Sequence, residues 1–553
     1  MEAAGPTFIK ASHHYIPIYK SSDVSGSSIC QLAQWAASRA DLFPSALCER
    51  LGALHSRGKP HSFGHTKKAI EKVFQKPFDQ VFEQFDEEPI GTGAIAQVYR
   101  ATLKQDLLPP SYLGPRRHRK TPAAAISPVI LHDPPPSVPT AAVAIKVLHP
   151  RVAKTISRDL SIMSFFAHFI ALFPGMQWLS LPEEVDVFGK MMFQQLDLRN
   201  EADNLVTFET NFAPRKVPVN FPRPLTVFST TDLLVEEYEN ALPLELFLKN
   251  GGGPYDQQVA TVGLDAFLNM LLLDNFVHSD LHPGNIMIKF SKPPSTSFLL
   301  KNLWLTIKHS LSSSNSESPN IILPDYSESD SIVARLRELS RDRTAWINEL
   351  TSLHDSGYIP EIVFIDAGLV TTLSSTNRKN FLDLFKSLAE FDGYRTGQLM
   401  VERCRTPELA IDTETFALKM QHLVLSVKRK TFSLGQIKIS DILRQVLLAV
   451  RQHHVKMEGD FINTVISVLL LEGIGRQLDP NLDLFKSALP ILRKLGSQMA
   501  TREQMKKDLP DLPKSNLGAF LKVWVWLEAR EFIAASIVNA DELIRYDWLA
   551  PNV

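Results

Sequence analysis

The spacing of hydrophobic positions changes several times in the early part of the chain and divides it into helices and strands. From Thr66 to Phe85, apolar residues recur at three- and four-residue steps around Pro77, a pattern that predicts two short helices. Residues 89–101 combine small residues with alternating apolar ones, which predicts a strand, a tight turn and a second strand. A strand rich in β-branched residues follows at 142–148.

The rest of the chain is mostly helical by the same criterion. Helical periodicity covers 155–174, 182–212 and 262–275, and it extends from Asn377 onward with short breaks. Residues 233–238 are the strand candidate in this part. A mixed segment followed by a long helical one predicts an α+β protein.

Two segments interrupt this order and are predicted to be insertions. Residues 106–139 are rich in proline and basic side chains, which favours a solvated loop. Residues 290–360 form a second expansion. Within it, 291–331 are rich in serine, proline and asparagine, and 332–353 have the periodicity of a surface helix.

Composition excludes several functional classes. The hydrophobic content of 44% and charged content of 22% are ordinary for a globular protein. The net charge of −1 supports neither nucleic-acid binding nor an anionic-membrane role, and leaves only local patches as candidates. Cys30, Cys48 and Cys404 are too widely spaced for a metal or disulfide framework, which favours a reducing compartment. The best candidate for a transmembrane span, 161–173, has 13 residues, whereas a span needs roughly 20, so a buried helix is expected there instead.

Two short loops carry the strongest chemical signal. Asp280 is followed five positions later by Asn285, and Asp366 stands two positions before a glycine. In phosphoryl transfer, an aspartate at the first position orients the attacking hydroxyl, while the asparagine and the second aspartate hold Mg²⁺ against the phosphates. His278 and His282 flank Asp280. Their spacing favours a loop whose first histidine is a structural brace over a metal site.

The other half of such a site stands upstream in the required order. A small-residue turn at 91–96 would let backbone N–H groups approach phosphates, Lys146 would neutralise them, and Glu201 on a helix would hold the lysine. Taken singly, Lys146 could be a solvated strand residue, Glu201 a surface residue and 366–368 a plain turn. Their common order predicts a nucleotide-phosphate site.

With these residues in place, the chain resembles the UbiB group of atypical kinase-like ATPases, the aarF-domain-containing kinases linked to coenzyme Q and mitochondrial lipid metabolism. The similarity runs from about residue 32 to at least 485. It is carried by GTGAIAQVYRA at 91–101, VAIKVLHP at 143–150, QLDLRNEADN at 195–204, HSDLHPGN at 278–285, FIDAGLV at 364–370 and LEGIGRQLDP at 471–480. Together these segments are highly specific.

The resemblance implies a two-lobed protein-kinase-like fold with family-specific N-terminal helices and a large helical C-lobe. It also implies ATP and Mg²⁺ as cofactors, with Lys146, Glu201 and Asp280 as catalytic residues and Asn285 and Asp366 as Mg²⁺ ligands. The implied nucleotide-binding positions are Lys146, Glu237 and the loop residues Gly91, Thr92, Gly93, Ala94, Ile95 and Ala96. The family has an alanine-rich loop here, so the glycines make this loop closer to that of ordinary kinases.

This chain departs most from the family's pattern in the regulatory lid, a Lys-x-Gly-Gln segment that in the family lies over the active site. Directly before Trp35 the chain reads QLAQ, with neither lysine nor glycine. The resemblance adds Gln195 and Asp197 to the lid, since they match the family's Glu-x-Asp motif with glutamine in place of the first acid.

Removing one segment of the chain would bring together most of the lid motif. If residues 11–31 were a translated intron, Lys10 would join Leu32 and form Lys-x-Ala-Gln with Gln34. Lys10 and Gln34 would then lie three positions apart on one helical face. A genuine loop insertion is the alternative.

The chain is therefore divided into an N-terminal helical extension (1–88), a kinase-like N-lobe (89–240) and a helical C-lobe (241–553). We expect a Mg²⁺-dependent atypical kinase or ATPase of the mitochondrion, with lipids or quinone-pathway proteins as partners, peripheral membrane contact and no nucleic acid. The lack of a targeting signal weighs little, because Met1 is expected to fall inside the family's first helix. A non-catalytic nucleotide-binding scaffold and a small-molecule phosphotransferase are the alternatives.

Overall fold

The computed structural model describes a large part of the chain, in segments. These are residues 60–93, 95–109, 112, 141–173, 180–213, 215, 217–292, 327–374, 376–378, 380, 383, 384, 387, 392–432, 439–480 and 482. Several predictions lie outside the described residues. They concern the lid residues Lys10 and Gln34, the segment 11–31, Ala94 and most of the insertion at 106–139.

The described strands and helices alternate in the first half of the chain and become mainly helical in the second. The strands are β1 (Phe82–Phe85), β2 (Gly91–Thr92), β3 (Ala96–Leu103), β4 (Ala142–Leu148), β5 (Val219–Asn220), β6 (Leu233–Glu237), β7 (Leu242–Pro243), β8 (Val277–His278), β9 (Ile286–Ser291), β10 (Ile359–Phe364) and β11 (Val370–Thr371). The helices are α1 (Phe63–Phe74), α2 (Phe78–Val81), α3 (Val152–Ala171), α4 (Leu181–Gln195), α5 (Leu198–Phe212), α6 (Leu244–Asn250), α7 (Asp256–Leu268), α8 (Ser327–Leu339), α9 (Arg343–Asp355), α10 (Gly393–Glu402), α11 (Thr413–Phe432), α12 (Ile439–Gln452) and α13 (Gly459–Leu478).

The first sheet is antiparallel, with strand order β1-β3-β4-β6 and β2 paired to β3. One face packs with α1 around a core that includes Ile70, Val143 and Ile145. The other face carries Lys146 and packs against α5 through Leu198 and Ala202. The side chains of a strand alternate between the two faces, so Lys146 points away from the α1 core.

The boundary predicted at residue 89 is wrong for this sheet. The segment 66–85 contains α1 and the one-turn helix α2, but it ends in β1, which pairs with β3 through Phe85 and Ala101. Phe78 and Phe82 have helical spacing, and this local pattern conceals the strand because pairing to β3 is a long-range contact.

The second sheet has strand order β5-β10-β9-β7. Strands β9 and β10 pair antiparallel, with Ile288 opposite Ile362, and they join the two ends of the predicted insertion 290–360. The helical prediction at 332–353 is confirmed, but the surface position predicted for it is wrong. Helices α8 and α9 occupy this region, and Trp346 is fully buried in the main core of the second half.

The helix predicted at 182–212 is two helices, α4 and α5, separated at Leu196 and Asp197. Asp197 has extended backbone geometry, and its carboxylate accepts a hydrogen bond from the Arg199 N–H at 3.1 Å. Aspartate is a favoured N-cap because it satisfies a backbone N–H that the first helical turn leaves without an acceptor. The cap therefore starts a new helix three residues before Glu201.

The last described helices, α10 to α13, form a core of their own that includes Leu399, Phe416 and Leu447. Helix α13 also packs against α7 and contributes Leu471 to the main core. Among the described helices, each one is too short or too polar to cross a bilayer. The mixed first half and helical second half confirm the predicted α+β class.

Candidate active site

Lys146 and Glu201 form a buried ion pair between strand β4 and helix α5. The Lys146 ammonium lies 2.9 Å from Oε1 and 2.8 Å from Oε2 of Glu201, whose side chain is 3% exposed. Burial raises the pKa of Glu201 to about 7, against the opposing effect of the lysine. The carboxyl therefore depends on Lys146 to remain ionised at neutral pH.

Asp366 completes a triad around the same ammonium. Its Oδ1 lies 2.8 Å from Lys146 Nζ, although the two residues are far apart in sequence. Burial acts to lower the pKa of Lys146, but Asp366 and Glu201 outweigh it and raise the pKa overall. Burial acts to raise the pKa of Asp366, and the ammonium lowers it. Both groups are therefore held in their charged forms.

The backbone of Asp366 is in the left-handed region, with φ of 58°. Aspartate and asparagine are among the few residues other than glycine that tolerate this conformation. Helix α5 supports the turn, since Asn204 Nδ2 donates to the carbonyl oxygen of Ala367 at 2.8 Å. No sequence motif indicated this role for Asn204, although its position three residues after Glu201 places both on one face of the helix.

Asp280 and Asn285 lie in one hydrogen-bonded loop between β8 and β9. Asn285 Nδ2 donates to the Asp280 carbonyl oxygen at 3.0 Å and weakly to its Oδ2 at 3.4 Å. This leaves Asn285 Oδ1 as an acceptor. The backbone N–H of Ile365 donates to the Asn285 carbonyl oxygen at 3.1 Å, so the loop is tied directly to the residue before Asp366.

His278 is the brace between these two loops, as predicted. Asp280 N–H donates to His278 Nδ1 at 3.3 Å, and His278 Nε2 lies 3.1 Å from the carbonyl oxygen of Ile365. This pair of contacts requires the neutral tautomer with the proton on Nε2. Burial lowers the pKa of His278, which favours that neutral form. His282 instead accepts from Gly284 N–H within its own turn.

The small-residue turn at 91–96 connects strands β2 and β3 of the first sheet. Gly93 N–H donates to the Ala96 carbonyl oxygen at 2.9 Å, and a Cβ added at Gly91 would meet no atom within 4 Å. His149 Nε2 lies 3.1 Å from the Gly93 carbonyl oxygen and links the turn to the end of β4. The backbone of this turn is therefore open to a ligand on the side of the glycines.

The structure places the other predicted site residues in different surroundings. Gln195 ends α4, and its Oε1 is buried without a hydrogen-bond partner among the described residues. Asp197 caps α5 and pairs with Arg199, a helix-starting role that the lid assignment did not anticipate. Glu237 ends β6, and its side chain accepts from Arg223 N–H at 3.4 Å.

The donor set fits Mg²⁺. A carboxylate at Asp366 and an amide oxygen at Asn285 are hard oxygen ligands, and Mg²⁺ binds through one or two such groups plus water and phosphate oxygens. Within the described segments there is no cluster of three or more histidine, cysteine, aspartate or glutamate side chains that would suit a metal ion. Water and phosphate oxygens would complete the coordination.

Comparison with known proteins agrees with this geometry. The ABC1 atypical kinase-like domain matches residues 53–107 and 120–302, and the UbiB helical domain matches 430–483. A mitochondrial ABC1 family protein of Saccharomyces cerevisiae is 41% identical over 543 residues, which cover 96% of this chain and 75% of that protein. The chain belongs to the ABC1 family.

Two further relatives place this ABC1 family chain more closely. A mitochondrial ABC1 family protein of Schizosaccharomyces pombe is 40% identical over 538 residues, which cover 96% of this chain and 70% of that protein. A probable protein kinase UbiB of Histophilus somni is 23% identical over 527 residues, or 93% of this chain and 77% of that protein. The resemblance to UbiB proteins, the kinase-like fold and the mitochondrial location are confirmed.

Proposed function

We propose that this ABC1 family chain binds ATP with Mg²⁺ and catalyses ATP hydrolysis or phosphoryl transfer to a small or lipid-linked acceptor, in support of coenzyme Q or mitochondrial lipid metabolism. The observation that carries the proposal is the contact of one ammonium, that of Lys146, with both Glu201 and Asp366. A strand lysine, a helical glutamate and a glycine-adjacent aspartate would not need to meet in a protein without a phosphate site.

Each residue of the site has a role that follows from its position. Bound Mg²⁺ would supply positive charge against the phosphates. Asn285 Oδ1 and the Asp366 carboxylate would hold the cation, and Lys146 would neutralise the α/β-phosphates while Glu201 fixes its position. Asp280, oriented by Asn285, would position the attacking hydroxyl and accept its proton. Backbone N–H groups of the turn at 91–96 would contact the phosphates.

Asp280→Asn is expected to retain Mg-ATP binding and to lose turnover. The amide keeps the size of the side chain but cannot accept the proton, and loss of a general base reduces rates by about 10²- to 10⁴-fold. The measurement compares ATP hydrolysis and thermal stabilisation by Mg-ATP in wild type and variant. Asp203→Asn, an exposed acid on α5, is the matched control and should behave as wild type.

The outcomes separate the alternatives. Equal turnover by wild type and Asp280→Asn would contradict the catalytic role. Mg²⁺-dependent binding without turnover in the wild type would favour a nucleotide-binding scaffold. A phosphorylated product in a metabolite screen would favour a small-molecule phosphotransferase.

We also propose that helix α3 contacts an anionic membrane surface. Phe165 is 69% exposed and Leu172 is 78% exposed, so the buried helix predicted at 161–173 is wrong. The other large exposed apolar residues of this surface, here called the α3 face, are Ile162, Phe166, Phe169 and Phe173. Large contiguous apolar patches on a folded surface mark sites of protein or membrane interaction.

The charges on α3 favour a membrane as the occupant. Lys154 and Arg158 are exposed on the first half of the helix, although Arg158 also lies 3.0 Å from the buried Asp159. Aromatic side chains beside exposed cations are the combination that holds interfacial helices on anionic lipid.

Phe165→Ser with Phe169→Ser is expected to reduce binding to anionic phospholipid vesicles by at least about 10-fold. Withdrawing a large apolar side chain from lipid costs roughly 1.5–3 kcal/mol each. Leu418→Ser with Leu425→Ser, an exposed apolar pair on α11, is the control. Unchanged vesicle binding by the α3 variant, or a loss of self-association instead, would contradict the membrane assignment.

A further inference from the structure

Glu236 is a buried carboxyl on the wall of the active site that the roles above do not use. In strand β6 it lies opposite Ala144, and Leu234 lies opposite Lys146. Paired residues project to the same face of a sheet, and residues two apart along a strand share that face. Glu236 therefore projects on the side of the sheet that carries Lys146, about 7 Å further along the strand.

The Glu236 side chain lacks a partner in the described structure. Its Oε2 is buried and makes no hydrogen bond with the described residues. Lys146 and Lys289, both within the described residues, pair with other carboxylates. Lys146 binds Glu201 and Asp366, and Lys289 lies 2.8 Å from Glu239 and 3.7 Å from Glu361. A buried polar atom without a partner costs free energy, which a ligand could recover.

The chemical form of this carboxyl follows from its surroundings. Burial raises the pKa of Glu236 to about 8, repulsion from Glu201, Asp366 and Glu239 adds to the rise, and Lys146 opposes it. The group is then neutral at physiological pH, and a neutral carboxylic acid offers an O–H donor beside a carbonyl acceptor.

The order of the turn, Lys146 and Glu236 along strand β4 decides which part of a bound nucleotide would lie beside Glu236. The turn at 91–96 lies beside Leu148, at one end of β4, because Ala96 pairs with Leu148. Glu236 lies toward the other end, next to the residues that lead from β6 into β7. Lys146 is between them. A nucleotide with its phosphates at the turn and Lys146 would therefore extend its base toward Glu236.

We propose that Glu236 contacts the base of the bound nucleotide, pairing its O–H and carbonyl oxygen with the amino group and a ring nitrogen of adenine. The inference rests on the proposed ATP binding and deepens it, because it names the residue that recognises the base. Glu237, the position expected from the resemblance, already accepts a hydrogen bond from Arg223 N–H.

The test compares Glu236→Met and Glu236→Gln with wild type, using Mg-ATP and Mg-tripolyphosphate, which has phosphates and no base. Glu236→Met should weaken ATP binding at least about 10-fold, because it removes both hydrogen-bonding atoms. It should leave tripolyphosphate binding within about 2-fold of the wild-type value. Glu236→Gln retains a donor and an acceptor, so its ATP affinity should stay within about 3-fold of wild type.

Folding is not at risk in this design. Methionine matches the length of glutamate and removes a buried polar group without a partner, so the melting temperature without ligand should rise or stay unchanged. ATP affinity equal to wild type in Glu236→Met, or an equal loss of ATP and tripolyphosphate binding, would overturn the inference. If wild type binds neither ligand with Mg²⁺, it is the proposed function that fails.

Discussion

Lys146→Met and Asp366→Asn are each expected to abolish measurable Mg²⁺-dependent ATP binding. The first variant removes the cation that faces the phosphates, and the second removes the anionic Mg²⁺ ligand. A loss of at least about 100-fold in affinity, equivalent to about 2.7 kcal/mol, is expected for each. Thermal stabilisation by Mg-ATP, measured over a range of concentrations, reports the change because a ligand that binds the folded state raises its stability.

Both substitutions are compatible with the fold. Asparagine tolerates the positive φ of Asp366. In Lys146→Met, Glu201 loses its ammonium partner, and its pKa, already about 7 with the lysine present, rises further so that the carboxyl becomes neutral. Lys146→Met with Glu201→Gln removes both charges and should fold without binding Mg-ATP. Lys154→Met, at an exposed position, is the matched control, and undiminished stabilisation in either site variant would refute the assignment.

The contact between Lys146 and Glu201 could be predicted because each belongs to a segment with a strong local signature. Lys146 lies in a segment rich in β-branched residues, and Glu201 stands on an amphipathic helix. The structure brings Asp366 to the same ammonium. The order of these segments along the chain indicated one site, although no single residue type did so.

Features that depend on long-range pairing could not be predicted in this way. The phenylalanines around strand β1 have helical spacing, so local periodicity indicated a helix there. Trp346 comes after a polar segment, so the same criterion indicated a surface position for a residue that is buried. The role of Asp197 as the cap of α5 was missed because the residues on both sides are helical. Glu236 is adjacent to a second glutamate, and only the strand register shows that it faces the site.

A buried ion cluster attaches helix α4 to the helical second half of the chain. The Lys456 side chain is completely buried and lies 3.1 Å from Glu184 Oε1, and the Glu184 side chain is 3% exposed. Arg405 lies 3.5 Å from the same oxygen and 3.1 Å from Glu458. Because α4 leads through two residues into α5, this cluster anchors the segment that precedes Glu201.

Glu184→Leu is expected to destabilise the protein by about 3–5 kcal/mol, because it removes the Glu184 carboxylate, which lies nearer to the buried Lys456 ammonium than Glu183 does. Burial lowers the pKa of Lys456 and Glu184 opposes that effect, so the variant should also lose charge at this lysine more readily as the pH rises. The loss of stability is measured as the shift of the denaturant midpoint for the transition in which α4 unfolds, and hydrogen exchange of the α4 amides identifies that transition.

The double variant Glu184→Leu with Lys456→Leu provides the control, since replacing both members of a buried pair by apolar groups is far less costly than removing one. It should recover more than half of the stability lost in Glu184→Leu, which gives a coupling energy of opposite sign to the single effects. If the double variant is as unstable as the sum of the two single variants, Glu184 and Lys456 do not act as a pair. If Glu184→Leu also loses Mg-ATP binding and the double variant regains both stability and binding, then α4 must be anchored to hold Glu201 against Lys146.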